Sequence, residues 1–147
     1  MVSTYDLPKP DSLHTILKGV LSDHLMLWII AFLKKHQRLV IFDDMWKSMP
    51  PYPNFSPPLR SFLEVEQWQG KEMRTFSKII VVCLATALSS PKSDVERNVF
   101  SKAILCTRKV IDFYLMSQYS SHTDKTIEYL EGFLKDFHVY KDVFLEF

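Results

Sequence analysis

The sequence predicts an all-α fold: about five helices in an irregular bundle, with a proline-rich loop at roughly 50–66. Three observations predict it. Apolar residues recur at three- and four-residue steps over most of the chain, prolines crowd into one stretch, and three glycines stand beside 14% aromatic residues. So few glycines suit helices better than a sandwich or barrel built on tight turns. The 147 residues leave room for a single helical domain, and 47% of them are apolar, enough to bury a core.

The first helix is expected over 11–35. Pro8 and Pro10 precede Asp11 and Ser12, which can cap it, and Leu13, Ile16, Leu17, Val20, Leu21, Leu25, Trp28, Ile29 and Phe32 follow at helical spacing. Its second half is apolar all round, which places it in the middle of the core. A shorter amphipathic helix is expected over 37–49, stopped by Pro50 and Pro51. Prolines at 50, 51, 53, 57 and 58 deny the backbone donors a helix needs, so this stretch reads as a surface loop.

A third helix is expected over 70–88, with Glu72 three residues after Gln69, where it can reach back to the free amides. The β-branched run Ile79–Val82 makes a strand the competing reading. Helix is preferred because Met73, Phe76, Ile80, Cys83 and Leu84 continue one face. Ser93 with Glu96 forms a capping-box pattern for a fourth helix over 94–119, carrying Val99, Phe100, Ala103, Ile104, Val110, Ile111, Tyr114 and Leu115. After a polar break at Ser120–Asp124, Ile127, Leu130, Phe133, Leu134, Phe137 and Phe144 mark a last helix over 123–145.

The charge of +1 comes from 18 basic and 17 acidic residues spread along the chain, so no basic tail grips nucleic acid non-specifically. Cys83 and Cys106 sit in apolar runs without a CxxC partner, which fits buried reduced thiols. The longest apolar runs, Leu25–Leu33 and Ile79–Ala85, fall far short of the roughly 18–20 residues that cross a bilayer. No basic region followed by an apolar one opens the chain. An intracellular place, nuclear or cytoplasmic, is therefore expected.

Candidate chemistry is sparse. His14, His24, His36, His122 and His138 show no zinc-binding spacing with each other or with cysteine, so no metal site and no cofactor are expected. Asp43 with Asp44, and Glu64 with Glu66, read as solvated surface: neighbours on a helix point in different directions. No GxSxG nucleophile motif occurs, and no small-molecule substrate is evident. Lys71, Arg74 and Lys78 fall on one side of the third helix, with Arg108 and Lys109 on the fourth, so a phosphate-binding groove is conceivable beside the plainer reading of a solvated face.

Three stretches carry a resemblance. The first holds Asp11, Leu13, His14, Lys18, Gly19, Asp23 and His24; the second holds Gln67, Trp68, Gly70, Lys71 and Glu72. The third holds Asp112, Phe113, Gln118, Tyr119, Ser121, His122 and Thr123, followed by Phe137, His138, Lys141, Asp142 and Phe144. Their order and rough spacing resemble the Plavaka-type transposases of fungal DNA transposons, whose patterns run PDxLHQxxKGxxxDH, xQWTGKE, DFxYLAQYxSHT and FHxxKDxF. Thr15, Gln69 and the pair Met116 and Ser117 depart from those patterns.

The resemblance implies a helical part of a much longer enzyme, whose RNase H-like sheet and metal-holding carboxylates lie largely upstream. Two-metal strand transfer needs several carboxylates brought together, and at most one of them is expected here. Asp11, with His14 three residues on, is the speculative remnant of an active-site edge; a plain helix cap is the equal alternative. The expected function is therefore a transposon-derived, catalytically incomplete helical fragment. The alternative is a host-adopted helical module that binds a protein partner, or DNA through Lys71, Arg74 and Lys78.

Overall fold

The computed structural model describes residues 13–58, 60–64 and 70–145. Within those ranges the side chains of residues 13–15, 17, 22, 70 and 71 lie outside the description. The fold is all-α: five α-helices, α1 (Leu27–Lys35), α2 (Leu39–Lys47), α3 (Gly70–Ala87), α4 (Asp94–Ser117) and α5 (Asp124–Tyr140), with no β-strand among the described residues.

The chain enters α1 from a π-helical segment, Leu13–Met26, so the helix expected over 11–35 is α-helical only from Leu27. A physical reason lies in the spacing of the packed residues. Leu21, Leu25 and Met26 are buried and Ile16 and Val20 pack on the core, so apolar residues recur every four to five positions. The wider i to i+5 winding of a π-helix holds Val20, Leu21, Leu25 and Met26 on one face, where α geometry would turn one of them away. That face lies against α3 and α4.

α1 ends in a Schellman motif. The Arg38 N–H donates to the Leu33 carbonyl at 2.8 Å and the Gln37 N–H to the Lys34 carbonyl at 3.1 Å, with Gln37 in the left-handed region at φ 56°. Gln37 is thus a helix terminator and not the first residue of the next helix, which starts at Leu39. The proline-rich segment carries a turn in which Pro53 and Asn54 occupy the central positions and the Phe55 N–H donates to the Tyr52 carbonyl at 2.9 Å. Asn54 takes φ 62° there, the conformation a type II turn demands at its third position. A 3₁₀ turn, Phe62–Glu64, lies inside the stretch expected as loop. It brings Phe62 against Phe42 and Trp46 of α2 at ring distances of 5.0 and 5.3 Å.

α3 is a helix despite its β-branched run. Met73, Phe76, Ile80, Cys83, Leu84 and Ala87 are buried along one face, and Val82 points outward, half exposed. Its proposed cap, Gln69, lies outside the described residues. α4 opens on Ser93, whose hydroxyl accepts from the Glu96 N–H at 3.1 Å. The reciprocal half of the expected box differs: the Glu96 carboxylate accepts from the Lys92 N–H instead. α5 opens on a complete box, Thr123 and Thr126 each accepting from the other's backbone N–H.

α4 ends at Ser117 and α5 at Tyr140, with a 3₁₀ turn over Lys141–Phe144, both short of the expected 119 and 145. The short connection between them makes an antiparallel helical hairpin, in which Lys109 meets Asp136 and Cys106 Sγ approaches the Phe137 carbonyl. Phe144 then turns back into the core, its ring 5.5 Å from Phe32 and 6.3 Å from Trp28. α5 itself buries no residue fully; Ile127 and Leu134, two of the residues that mark the helix in the sequence, are half exposed.

Candidate docking groove

The residues singled out from the sequence separate in space. Asp11 lies outside the described residues, and of His14 and Lys71 only the backbone is described. Arg74 is exposed near the α4 face that carries Tyr114, whose hydroxyl burial pushes up and Arg74 pulls back. Lys78 donates to the Asn54 carbonyl at 2.8 Å, tying the proline-rich turn to α3.

Arg108 and Lys109 each face a carboxylate. Arg108 Nε lies 3.4 Å from Asp112 one turn on, and Lys109 Nζ lies 2.8 Å from Asp136 of α5 and 5.3 Å from the centre of the Phe133 ring. These two cations are therefore locally neutralised. They belong instead to a groove of about 470 Å³ between α4 and α5. Its apolar lining is Leu105, Leu115, Met116 and Tyr119 with Phe133 of α5; its charged lining is Arg108, Lys109 and Asp112.

The groove arises because α4 has two working faces. Phe100, Ala103, Cys106, Thr107, Val110, Ile111 and Tyr114 face the core. Leu105, Leu115 and Tyr119 point away from it at 38%, 49% and 57% exposure. Sequence reasoning missed this face because one helix with two apolar stripes reads as a single broad one. The available signal was the step from Leu105 to Arg108, Asp112, Leu115 and Tyr119, which never joins the core stripe.

Other chemistry on the chain is structural. Asp43, expected on the solvated surface, is buried at 7% exposure. Its carboxylate accepts from the Phe62 N–H at 2.7 Å and the Ser61 hydroxyl at 2.8 Å and pairs with Lys47 at 3.0 Å. α2 presents Asp43 inward beside Phe42 and Trp46 because the 3₁₀ turn packs on that face. Burial raises its pKa, but the bonds from Lys47, Ser61 and Phe62 outweigh burial and leave it below its ordinary value. Asp44 is exposed.

Cys83 and Cys106 are buried free thiols pushed up to about 12 by burial, so neither supplies a thiolate near neutral pH. His36 sits between the rings of Phe32 and Phe100 and faces Glu96 at 3.5 Å. Among the described residues no three His, Cys, Asp or Glu side chains gather where they could hold a metal ion, and no helix is long and apolar enough to cross a membrane.

The motif residues of the third stretch take structural posts. Asp112 pairs with Arg108, Tyr119 stacks on His122, Thr123 caps α5, and Phe137 and Phe144 pack on the core. No family model matches the chain, and no curated protein or solved structure matches it.

Proposed function

We propose that this chain is a transposase-derived helical module, catalytically incomplete by itself, whose work is to dock a protein partner in the groove between α4 and α5. The ordered set of motifs from Asp11 to Phe144 supports the origin. One observation carries the docking role: the groove joins exposed Leu105, Leu115 and Tyr119 to cations that already hold carboxylate partners. An apolar patch with internally compensated charge suits a protein surface, whereas a phosphate backbone calls for unpaired cations.

The test places a photo-crosslinking residue at Leu115, with Val40, 71% exposed on α2, as the control position. Adducts with a second polypeptide are expected at Leu115 and not at Val40. Equal labelling at both, or at neither, refutes groove docking.

The second reading, DNA binding through Lys71, Arg74 and Lys78, rests on the exposure of Arg74. A salt-dependent shift of labelled duplex DNA, lost when those three are replaced, would move the binding role there. A divalent-metal nicking assay is expected at background, and reproducible nicking abolished by Asp11→Asn would overturn the noncatalytic reading. For the origin, flanking coding sequence for the RNase H-like sheet is expected; intact promoter and stop signals without that sequence count against it.

A further inference from the structure

Leu105, Arg108, Asp112, Leu115 and Tyr119 succeed one another in alternating steps of three and four residues. That is the heptad spacing of a coiled-coil seam. Here Leu105, Arg108, Asp112 and Leu115 lie on the outward side of α4, opposite the face that Phe100, Ala103, Val110 and Tyr114 bury, with Tyr119 just past the helix end. Lys109 and Met116 flank this seam on the side of α5.

We propose that this seam docks the same seam of a second copy of the chain, antiparallel, about a two-fold axis near residue 110. The inference rests on the docking reading above and names its partner. Charge decides both the occupant and the direction. In a parallel pair each seam residue meets its own copy, so Arg108 would oppose Arg108 and Asp112 would oppose Asp112, and like charges in contact oppose association.

In the antiparallel pair centred at residue 110, Arg108 faces Asp112 of the other copy and Asp112 faces its Arg108. Leu105 meets Leu115 on both sides of the axis, and Tyr119 meets the small exposed Ser101. The seam is thus complementary to itself, as an isologous interface requires. The two 3.4 Å pairs between Arg108 and Asp112, one in each chain, are exchanged for two pairs between chains. No unpaired charge is left behind.

The experiment is sedimentation equilibrium of the full chain and its charge variants, with far-UV circular dichroism to confirm that each is folded. Wild type is expected to move from 17.3 kDa toward twice that mass as its concentration rises. Arg108→Asp and Asp112→Arg, both at solvent-accessible positions, should each weaken self-association by roughly a hundredfold through two symmetric like-charge contacts.

An equimolar mixture of the two variants should associate again, because one copy then carries an acidic side chain at both charged positions of the seam and the other a basic one at both. The double exchange R108D/D112R should also self-associate. The proposal is overturned by a wild type of 17.3 kDa throughout, by single variants that associate as wild type does, or by a mixture no stronger than its components. A monomeric wild type whose Leu115 still crosslinks to other proteins removes the second copy as occupant and leaves the docking reading standing.

Discussion

Replacing Asp43 by alanine removes the carboxylate that ties the 3₁₀ turn Phe62–Glu64 to α2. Three donors converge on that carboxylate: the Phe62 N–H at 2.7 Å, the Ser61 hydroxyl at 2.8 Å and Lys47 at 3.0 Å. The Phe62 N–H bond lies in a buried setting, and a buried donor left without an acceptor costs about 1–3 kcal/mol. The Ser61 bond adds about 1 kcal/mol. Asp43→Ala is therefore expected to destabilise the fold by about 2–4 kcal/mol. Asp43→Asn keeps an oxygen for the Phe62 and Ser61 donors, which share Oδ1, and gives up the charge and the Lys47 pair, so it should lose less than the alanine variant.

The pH dependence has a definite sign. The folded carboxyl lies below its ordinary value of 3.8, because the hydrogen bonds outweigh the burial that would raise it. Its contribution is complete above 3.8 and is lost as pH falls through the folded value. Urea unfolding followed by far-UV circular dichroism, at neutral pH and again below 3.8, measures both effects. The difference between wild type and Asp43→Asn should shrink in acid. An alanine variant within about 0.5 kcal/mol of wild type, or an asparagine variant whose deficit is the same at both pH values, would refute the reasoning.

Gln37→Gly should stabilise the chain by about 0.5–1 kcal/mol, since φ 56° strains a residue with a Cβ and suits glycine; thermal unfolding that shifts downward contradicts this. Phe144→Ala should cost about 3–5 kcal/mol, because Phe144 is 2% exposed and packs its ring on Trp28 and Phe32; a loss under about 1 kcal/mol would mean that the C-terminal turn does not close the core. His36 is held below 6.5 by burial, with Lys35 and Arg38 adding to that direction and the hydrogen bond and charge of Glu96 opposing it. The folded state then binds protons less readily than the unfolded one, so stability should fall as pH drops below 6.5. His36→Phe keeps a ring between Phe32 and Phe100 and should flatten that slope in urea titrations repeated across the window.

Much of the architecture was legible from local patterns. The helix over 70–87 follows from one continuous apolar face, and Ser93 and Thr123 announce their helices because capping is chemistry between residues three positions apart. The helix class went in the right direction even at Ile79–Val82, where β-branched residues argued for a strand, because the same residues also complete a buried stripe. Local reading failed where the deciding contact was distant in sequence. Gln37 has no sequence mark of a left-handed terminator, and Asp43 cannot be told from Asp44 until the turn eighteen residues later donates to it.

The candidate site divides in the same way. Composition, helical period and caps by themselves determined that the chain is helical, because each depends on neighbours within about one turn. Which of the two stripes of α4 meets the core and which faces outward was decided only when α3, α5 and the Phe144 turn packed around it. Leu105, Arg108, Asp112, Leu115 and Tyr119 have the spacing of a packed seam in the sequence. The tertiary fold leaves Leu105, Arg108, Leu115 and Tyr119 exposed and Asp112 half-buried because Phe100, Ala103, Val110 and Tyr114 take the contacts on the other side of the same helix.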